Sequence, residues 1–308
     1  MGMARKSSVN RRTYLKTVGG AGAAATVAGC LGNGNGDGGD GDGTETSSGD
    51  DTATETTETT ETGDGEDSME MITIGSDIPY KPFEYRTEEG DLVGFDVEIA
   101  EAVFAGEMGI EYEFQPTGFS TIIESLNNGN FRVIMSAMTI NDERDQKVDF
   151  SDPYFTAYQT VIVLNDSDIT SKDDLKGLNV GVQKGTTGEG AAEGLKEEFD
   201  GDLTIKSFDQ INGAFNALLN SQVSAVINDN TVNAEFANQN DNVRFLEGEG
   251  EAAAQGDDAP PYLTLTVENY GIAFRQDDDE FRMQVNEAIA AIKESGIYDE
   301  IYSEYFSG

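Results

Sequence analysis

From position 71 onward, apolar residues fall into short runs that alternate with helical patterns. Residues 71–75 form an apolar run of strand length, 95–105 repeat apolar side chains at the helical period, 110–115 alternate, and 119–126 return to the helical period. Runs at 132–136 and 158–164 predict strands. Strand 178–182, helix 188–199, strand 203–208, helix 210–220 and strand 223–227 continue the alternation. Strand, helix, strand at this spacing predicts right-handed crossovers and largely parallel sheets, an α/β fold. Residues 263–275 read as one further strand, followed by helices at 278–293 and 297–306. The acidic Gly- and Ala-rich stretch 247–261, ending in Pro260 and Pro261, breaks the pattern and reads as a connection between lobes. The roughly 240 residues after position 68 suffice for two lobes of ordinary size.

Ahead of this patterned part the chain changes character twice. Residues 1–29 carry Arg5, Lys6, Arg11, Arg12 and Lys16 and no acidic residue. NRRTYLK at 10–16 resembles a twin-arginine export signal. The weakly apolar run 17–30 is shorter than the 20 or so residues a membrane span needs. It ends in VAGC, which looks like the lipobox where a signal peptidase cuts before a cysteine that receives a lipid, here Cys30. Cys30 is the only cysteine, so no intrachain disulfide is expected. Residues 31–68, beginning LGNGNGDGGDGDG and continuing in Thr-Glu repeats, have too few apolar side chains to bury a core and read as a disordered acidic tether. As a flexible chain it would span roughly 30 to 40 Å. DGDG at 40–43 lacks the later ligand positions of a calcium loop.

Charge narrows the partners and the setting. The chain holds 59 acidic and 19 basic residues, a net −40, with no histidine and no tryptophan. Without residues 1–29 the balance is −45, 14 basic against 59 acidic. Nucleic acid is therefore not an expected partner. Self-repulsion of this size loosens a compact fold at low salt and is screened at molar salt, where the Debye length is about 3 Å, so the surface reads as adapted to strong brine.

The candidate chemistry centres on IMSAMTINDERDQKVDFSDPY at 134–154. Ser136 and Thr139 place short hydroxyls just past an apolar strand, and Arg144 supplies a planar fork of donors that fits the two oxygens of a small carboxylate. Taken alone, the same residues also describe a strand, a capped turn and a surface arginine.

Six segments occur in order: GSDIPYKPFEY from Gly75, LVGFDVEIAEAV from Leu92, FSTIIESLNNG from Phe119, SAMTINDERDQKVDFSDPY from Ser136, LKGLNVGVQKGTTGE from Leu175 and AVINDN from Ala225. Together they resemble the family 3 extracellular solute-binding proteins, the polar amino-acid receptors of ABC importers. The resemblance implies a two-lobe periplasmic-binding-protein-like fold of type II, hinged by two crossing strands, with lobe 1 at 69–157 and 258–308 and lobe 2 at 158–257. It implies capture of a free amino acid by lobe closure and delivery to a membrane permease. Arg144 would take the α-carboxylate, helped by the Thr139 backbone, by Thr186 in the Gly185-Thr186-Thr187 turn and by a helix opening at Gly188. Asp229 would accept the α-ammonium together with the backbone of Ser136, Ala137 and Met138. Tyr80 and Phe119 would enclose the side chain, Asp77 would meet its polar end, and Ala137 and Gln183 stand where relatives vary with specificity.

Other roles are open to the same residues. Asp77 also suits a turn, Asp229 a helix N-cap, and Tyr80 and Phe119 a core. The resemblance includes an enzyme, since cyclohexadienyl dehydratases share the fold, but catalysis there needs a placed acid, and a chain with no histidine and no cysteine left free after lipidation would turn to a carboxylate for it. The expectation is a non-enzymatic, monomeric receptor without cofactor or metal, lipid-anchored on the extracellular face. An Asp77 carboxylate at the end of the site favours a basic or amide ligand over an acidic one.

Overall fold

The computed structural model describes residues 71–306, all within one compact unit. The signal, Cys30 and the tether expected at 1–68 lie outside the described residues. The chain enters at strand β1 (Met71–Ser76), makes a small ribbon of β2 (Tyr85–Arg86) and β3 (Leu92–Val93), then forms helix α1 (Phe95–Ala100), which widens into a π-helical stretch, Glu101–Glu107. Phe95, Ile99 and Val103 share one face of this helix and are fully buried, which explains the helical period of the segment. Strand β4 (Glu111–Pro116), helix α2 (Phe119–Asn127), β5 (Val133–Ile134), the short α3 (Asp142–Asp145) and β6 (Asp149–Phe150) follow.

The chain then leaves along the ten-residue strand β7 (Phe155–Leu164) for the second lobe. There β8 (Asn179–Gln183), α4 (Thr187–Glu198), β9 (Thr204–Phe208), α5 (Ile211–Leu219), β10 (Ala225–Asp229), α6 (Asn230–Gln239) and β11 (Val243–Phe245) repeat the strand and helix alternation. It returns along β12 (Thr264–Tyr270) to β13 (Ala273–Phe274) and the closing helices α7 (Asp279–Glu294) and α8 (Ile297–Phe306).

Two main sheets result. The first has the order β4-β1-β5-β13-β6, and the second β11-β7-β10-β8-β9 with β12 also on β7. β1 runs parallel to β4 and β5, and β8 parallel to β9 and β10, as the crossovers require. β7 and β12 pair antiparallel from Thr160 opposite Thr264 to Phe155 opposite Tyr270, so the two strands that cross between lobes lie side by side. Their first-lobe ends are clamped by aromatics: the Phe155 ring lies 5.1 Å from Phe83 and 4.8 Å from Phe306. The fold is the two-lobe α/β architecture.

Two sequence expectations are corrected here. Residues 263–275 are not one strand. Tyr270 pairs with Phe155 in the second sheet, whereas Ala273 pairs with Ile134 in the first, and Gly271 makes the corner because a Cβ there would meet the Ile140 side chain at 2.9 Å. The stretch 247–261 does not join the lobes either. Both strands flanking it, β11 and β12, pair with β7, and it coils as a 3-10 segment, Glu251–Asp258, beside β12. The return to the first sheet therefore comes after β12 rather than at 258.

Candidate functional site

The ends of four parallel strands converge on one cleft, as open α/β sheets dictate. β1 delivers Asp77, the loop behind it Tyr80, and the start of α2 Phe119. The segment after β5 delivers Ser136, Ala137 and Thr139, and α3 delivers Arg144. From the second lobe come Gln183 at the end of β8, Thr186 and Thr187 at the start of α4, and Asp229 at the end of β10. These residues line one small pocket of about 10 Å³, which the side chains meeting across the closed cleft nearly fill. A larger groove of about 1100 Å³ opens to solvent beside it and shares Arg144, Phe119, Thr186 and Thr187 with the cavity. Of the expected site residues, Met138 and Gly185 line this groove and not the cavity.

The cleft is closed. Gln183 Nε2 donates a short hydrogen bond to Asp77, the Tyr80 hydroxyl donates a short one to Asp229, and Lys81 reaches Glu235 at 2.7 Å. Arg144 Nη2 donates to the Gly185 carbonyl at 3.3 Å, and the Thr139 and Thr187 hydroxyls stand 3.3 Å apart. Gly185 sits at φ +78°, and a Cβ on it would stand 3.0 Å from the Ser120 backbone across the cleft. Gly185→Ala is therefore expected to hold the lobes short of full closure and to weaken ligand binding about tenfold, with the circular dichroism spectrum unchanged. Calorimetry on the variant and its parent checks this, and equal affinities would contradict it.

The guanidinium of Arg144 is held by contacts within its own lobe. Its Nη1 donates to the Thr139 carbonyl at 2.8 Å, its backbone N–H to the Asn141 side chain at 2.9 Å, and its fork lies 5.2 Å from the Phe119 ring centre. Burial pulls the Arg144 pKa down, while the charges of Glu268 and Asp229 oppose that shift. Asp229 is pushed up to about 7 by burial and by the neighbouring Glu268, against the hydrogen bond from Tyr80 and the charge of Arg144. Its Oδ1 also accepts from Gln159 Nε2 at 2.5 Å. The helix N-cap role open to Asp229 is not taken by its side chain, which makes no capping bond to α6. Thr186 is the N-cap of α4 instead: its hydroxyl accepts from the Glu189 N–H at 3.3 Å and donates to the Gln183 carbonyl at 2.7 Å. The helix opens at Thr187, one residue before the expected start.

Beneath the cavity lies a layer that sequence reasoning missed. Ser136 Oγ accepts from the Asp77 N–H and donates to Glu84, both at 2.9 Å, and Ala137 N–H donates to Asp96 at 2.8 Å. Ala137 stands at φ +46°, a strained setting for a residue with a Cβ, and the Asp96 carboxylate holds it there. Burial raises both carboxyls, Glu84 well above its usual range, with the charge of Asp96 adding to it, and Asp96 to about 7. Gln159, Thr187 and Glu268 were also missed. The one available signal was a buried-looking polar pair, Gln159 and Thr160, inside the apolar run of β7.

Residues 72–308 match the profile of the bacterial extracellular solute-binding proteins, family 3. The chain belongs to this family. A probable histidine-binding protein of Neisseria gonorrhoeae is 34% identical over 239 residues, 77% of this chain and 83% of that protein. Among solved structures, an ancestral arginine-binding protein bound to arginine superposes with a TM-score of 0.67 at 35% identity, covering 77% of this chain and 98% of the other. An ancestral amino acid-binding protein described as a precursor of cyclohexadienyl dehydratase gives 0.66 at 35% identity, covering 77% and 95%. The extracellular solute-binding family accounts for a ligand cavity at the meeting of two hinged lobes. Among the described residues no helix is long and apolar enough to cross a membrane.

Proposed function

We propose that this family 3 solute-binding protein is the extracellular receptor of an ABC importer and captures one polar amino acid, with a basic side chain favoured and an amide next. The observation that carries the reading is the opposed pair in one closed cavity: the fork of Arg144 for an α-carboxylate and the carboxylate of Asp229 for an α-ammonium. The N-terminal end of α4, with its positive dipole, adds to the carboxylate side. Tyr80, Phe119, Ser136 and Ala137 line the space with them. Relatives named for histidine and arginine support the ligand class. The dehydratase-related neighbour is itself described as a binding protein, which supports binding over catalysis.

Charge makes the basic ligand the stronger choice. Asp77 and Asp229 line the cavity and Glu268 lies buried beside it, while Arg144 is the one buried cation among the described residues, so a ligand that adds a positive charge offsets what a neutral or acidic one would leave uncompensated. Burial raises the Asp77 carboxyl, and Gln183 opposes the shift by donating to it. A guanidinium between Tyr80 and Phe119 would gain about 0.5 to 2 kcal/mol of cation–π attraction. Calorimetry against the twenty amino acids in strong brine is expected to give tight binding of arginine, lysine, histidine or glutamine, each recovered unchanged. Asp77→Asn is expected to narrow the gap between arginine and glutamate at least tenfold. A parent protein that prefers glutamate, or an unaltered ranking in Asp77→Asn, removes Asp77 as the selector.

The proposal extends to the chain before residue 71. NRRTYLK and VAGC support twin-arginine export followed by lipidation of Cys30, with the acidic 31–68 stretch as tether and the net charge suited to brine. Mass spectrometry of the mature protein is expected to show a diacylglyceryl-modified Cys30 at its N-terminus, and Cys30→Ser to release the protein or leave its signal uncut. An unmodified cysteine contradicts the anchor.

A further inference from the structure

Glu268 stands midway along β12, is 5% exposed, and collects hydrogen bonds from both lobes on one carboxylate oxygen. Its Oε2 accepts from Thr139 Oγ1 at 2.6 Å on the first-lobe side and from Thr187 Oγ1 at 2.7 Å on the second. The same oxygen accepts from Gln159 Nε2 at 3.3 Å on the other crossing strand. Oε1 is held apart from this by Thr266 Oγ1 of its own strand, at 2.8 Å.

Both anchors of the cavity connect to this carboxylate. The Thr139 residue whose hydroxyl it holds gives its carbonyl to Arg144, and the Gln159 amide that reaches it also reaches Asp229. A buried carboxylate is costly unless its lone pairs are filled, and an apolar side chain of similar size would join two strands at lower cost. Thr139 and Thr187 come from different lobes, so this oxygen holds both hydroxyls at once in the closed cleft. Hydroxyl bonds to a charged acceptor are about twice as strong as neutral ones.

We propose that Glu268 is a positioning residue that ties the closed state. It joins Thr139 to Thr187 through one oxygen, favours lobe closure, and holds the Arg144 and Asp229 sides of the cavity in register. The affinity part of this inference rests on the receptor reading. The closure part does not.

The test uses the full chain with L-arginine as the probe. Glu268→Ala and Thr187→Val are each expected to raise Kd about tenfold, through faster dissociation at an unchanged association rate. The double variant is expected to be no weaker than Glu268→Ala alone, since both remove the same tie. Thr266→Val, which touches only Oε1, is expected to bind like the parent. Independent, multiplying effects of the two substitutions, or Kd values within twofold of the parent, overturn the proposal. Should Glu268→Ala not fold, Thr139→Val combined with Thr187→Val leaves the carboxylate in place and must show the same failure to multiply. Should the parent bind no amino acid, the receptor reading falls and the tie is read without ligand. Spin labels at positions 128 and 197, in a Cys30→Ser background, are then expected to give a longer or broader lobe-to-lobe distance in Glu268→Ala and Thr187→Val. Identical distributions overturn it.

Discussion

Arg144→Ala is expected to weaken amino-acid binding by about 2 to 5 kcal/mol, roughly thirtyfold to several thousandfold, with the fold retained. The size follows from where the residue sits. Arg144 is buried in the closed cleft, held by the Thr139 and Gly185 carbonyls, and among the described residues it is the one cation on the cavity wall. Without it a ligand carboxylate would be desolvated and left unpaired. The same substitution also leaves Glu268 and Asp229 without a nearby positive charge, which disfavours closure further. Arg144→Lys separates the two contributions: it keeps the charge and loses the fork, so it is expected to fall between parent and alanine variant. Calorimetry measures all three, with circular dichroism as the check on folding. Unchanged affinity in Arg144→Ala removes the residue from the site.

Affinity for a zwitterionic ligand is expected to fall about tenfold per pH unit below pH 7 and to level off above it. Asp229 supplies the cause. In the closed cleft its carboxyl is pushed up to about 7, so at lower pH it is largely protonated and cannot pair with an ammonium. The ligand's ammonium favours the ionised form and lowers this pKa on binding. The linkage sign follows: binding releases a proton, is strongest above the unliganded pKa and is lost as pH falls through it. Asp229→Asn isolates the contribution: it is expected to bind at least thirtyfold more weakly at pH 8 and to lose most of the pH dependence. Titrations in two buffers of different ionisation enthalpy count the proton directly. A parent protein with flat affinity from pH 5.5 to 8 would rule out Asp229 as the ammonium partner.

Much of the cavity wall was legible because its residues sit within six segments that resemble a known family, and only Ser136, Thr139 and Arg144 drew notice from local sequence alone. Asp77, Tyr80, Phe119, Ser136, Arg144, Gln183 and Asp229 were all named from such segments and meet in one cavity. What stayed hidden were side chains whose partners lie far along the chain. Glu268 acts on Thr139 and Thr187, 129 and 81 positions away, and Asp96 holds Ala137 across 41. In the sequence, Asp96 looks like an ordinary acidic residue at a helix start, and Glu268 like one more carboxylate in an acidic protein.

The reading of 263–275 as one strand failed for a related reason. Apolar periodicity reports that a segment is extended and buried, not which sheet it joins, and only the packing of Gly271 against Ile140 shows the corner. By itself, the sequence determined the alternation of strands and helices and the acidic balance, which follow from local periodicity and composition, and its resemblance to a known family supplied the residues available to bind an amino acid. Only the tertiary structure decided which carboxylates share a desolvated space, which hydroxyls fill them and where the chain crosses between lobes. Burial and hydrogen-bond partnership depend on what distant segments bring to one place.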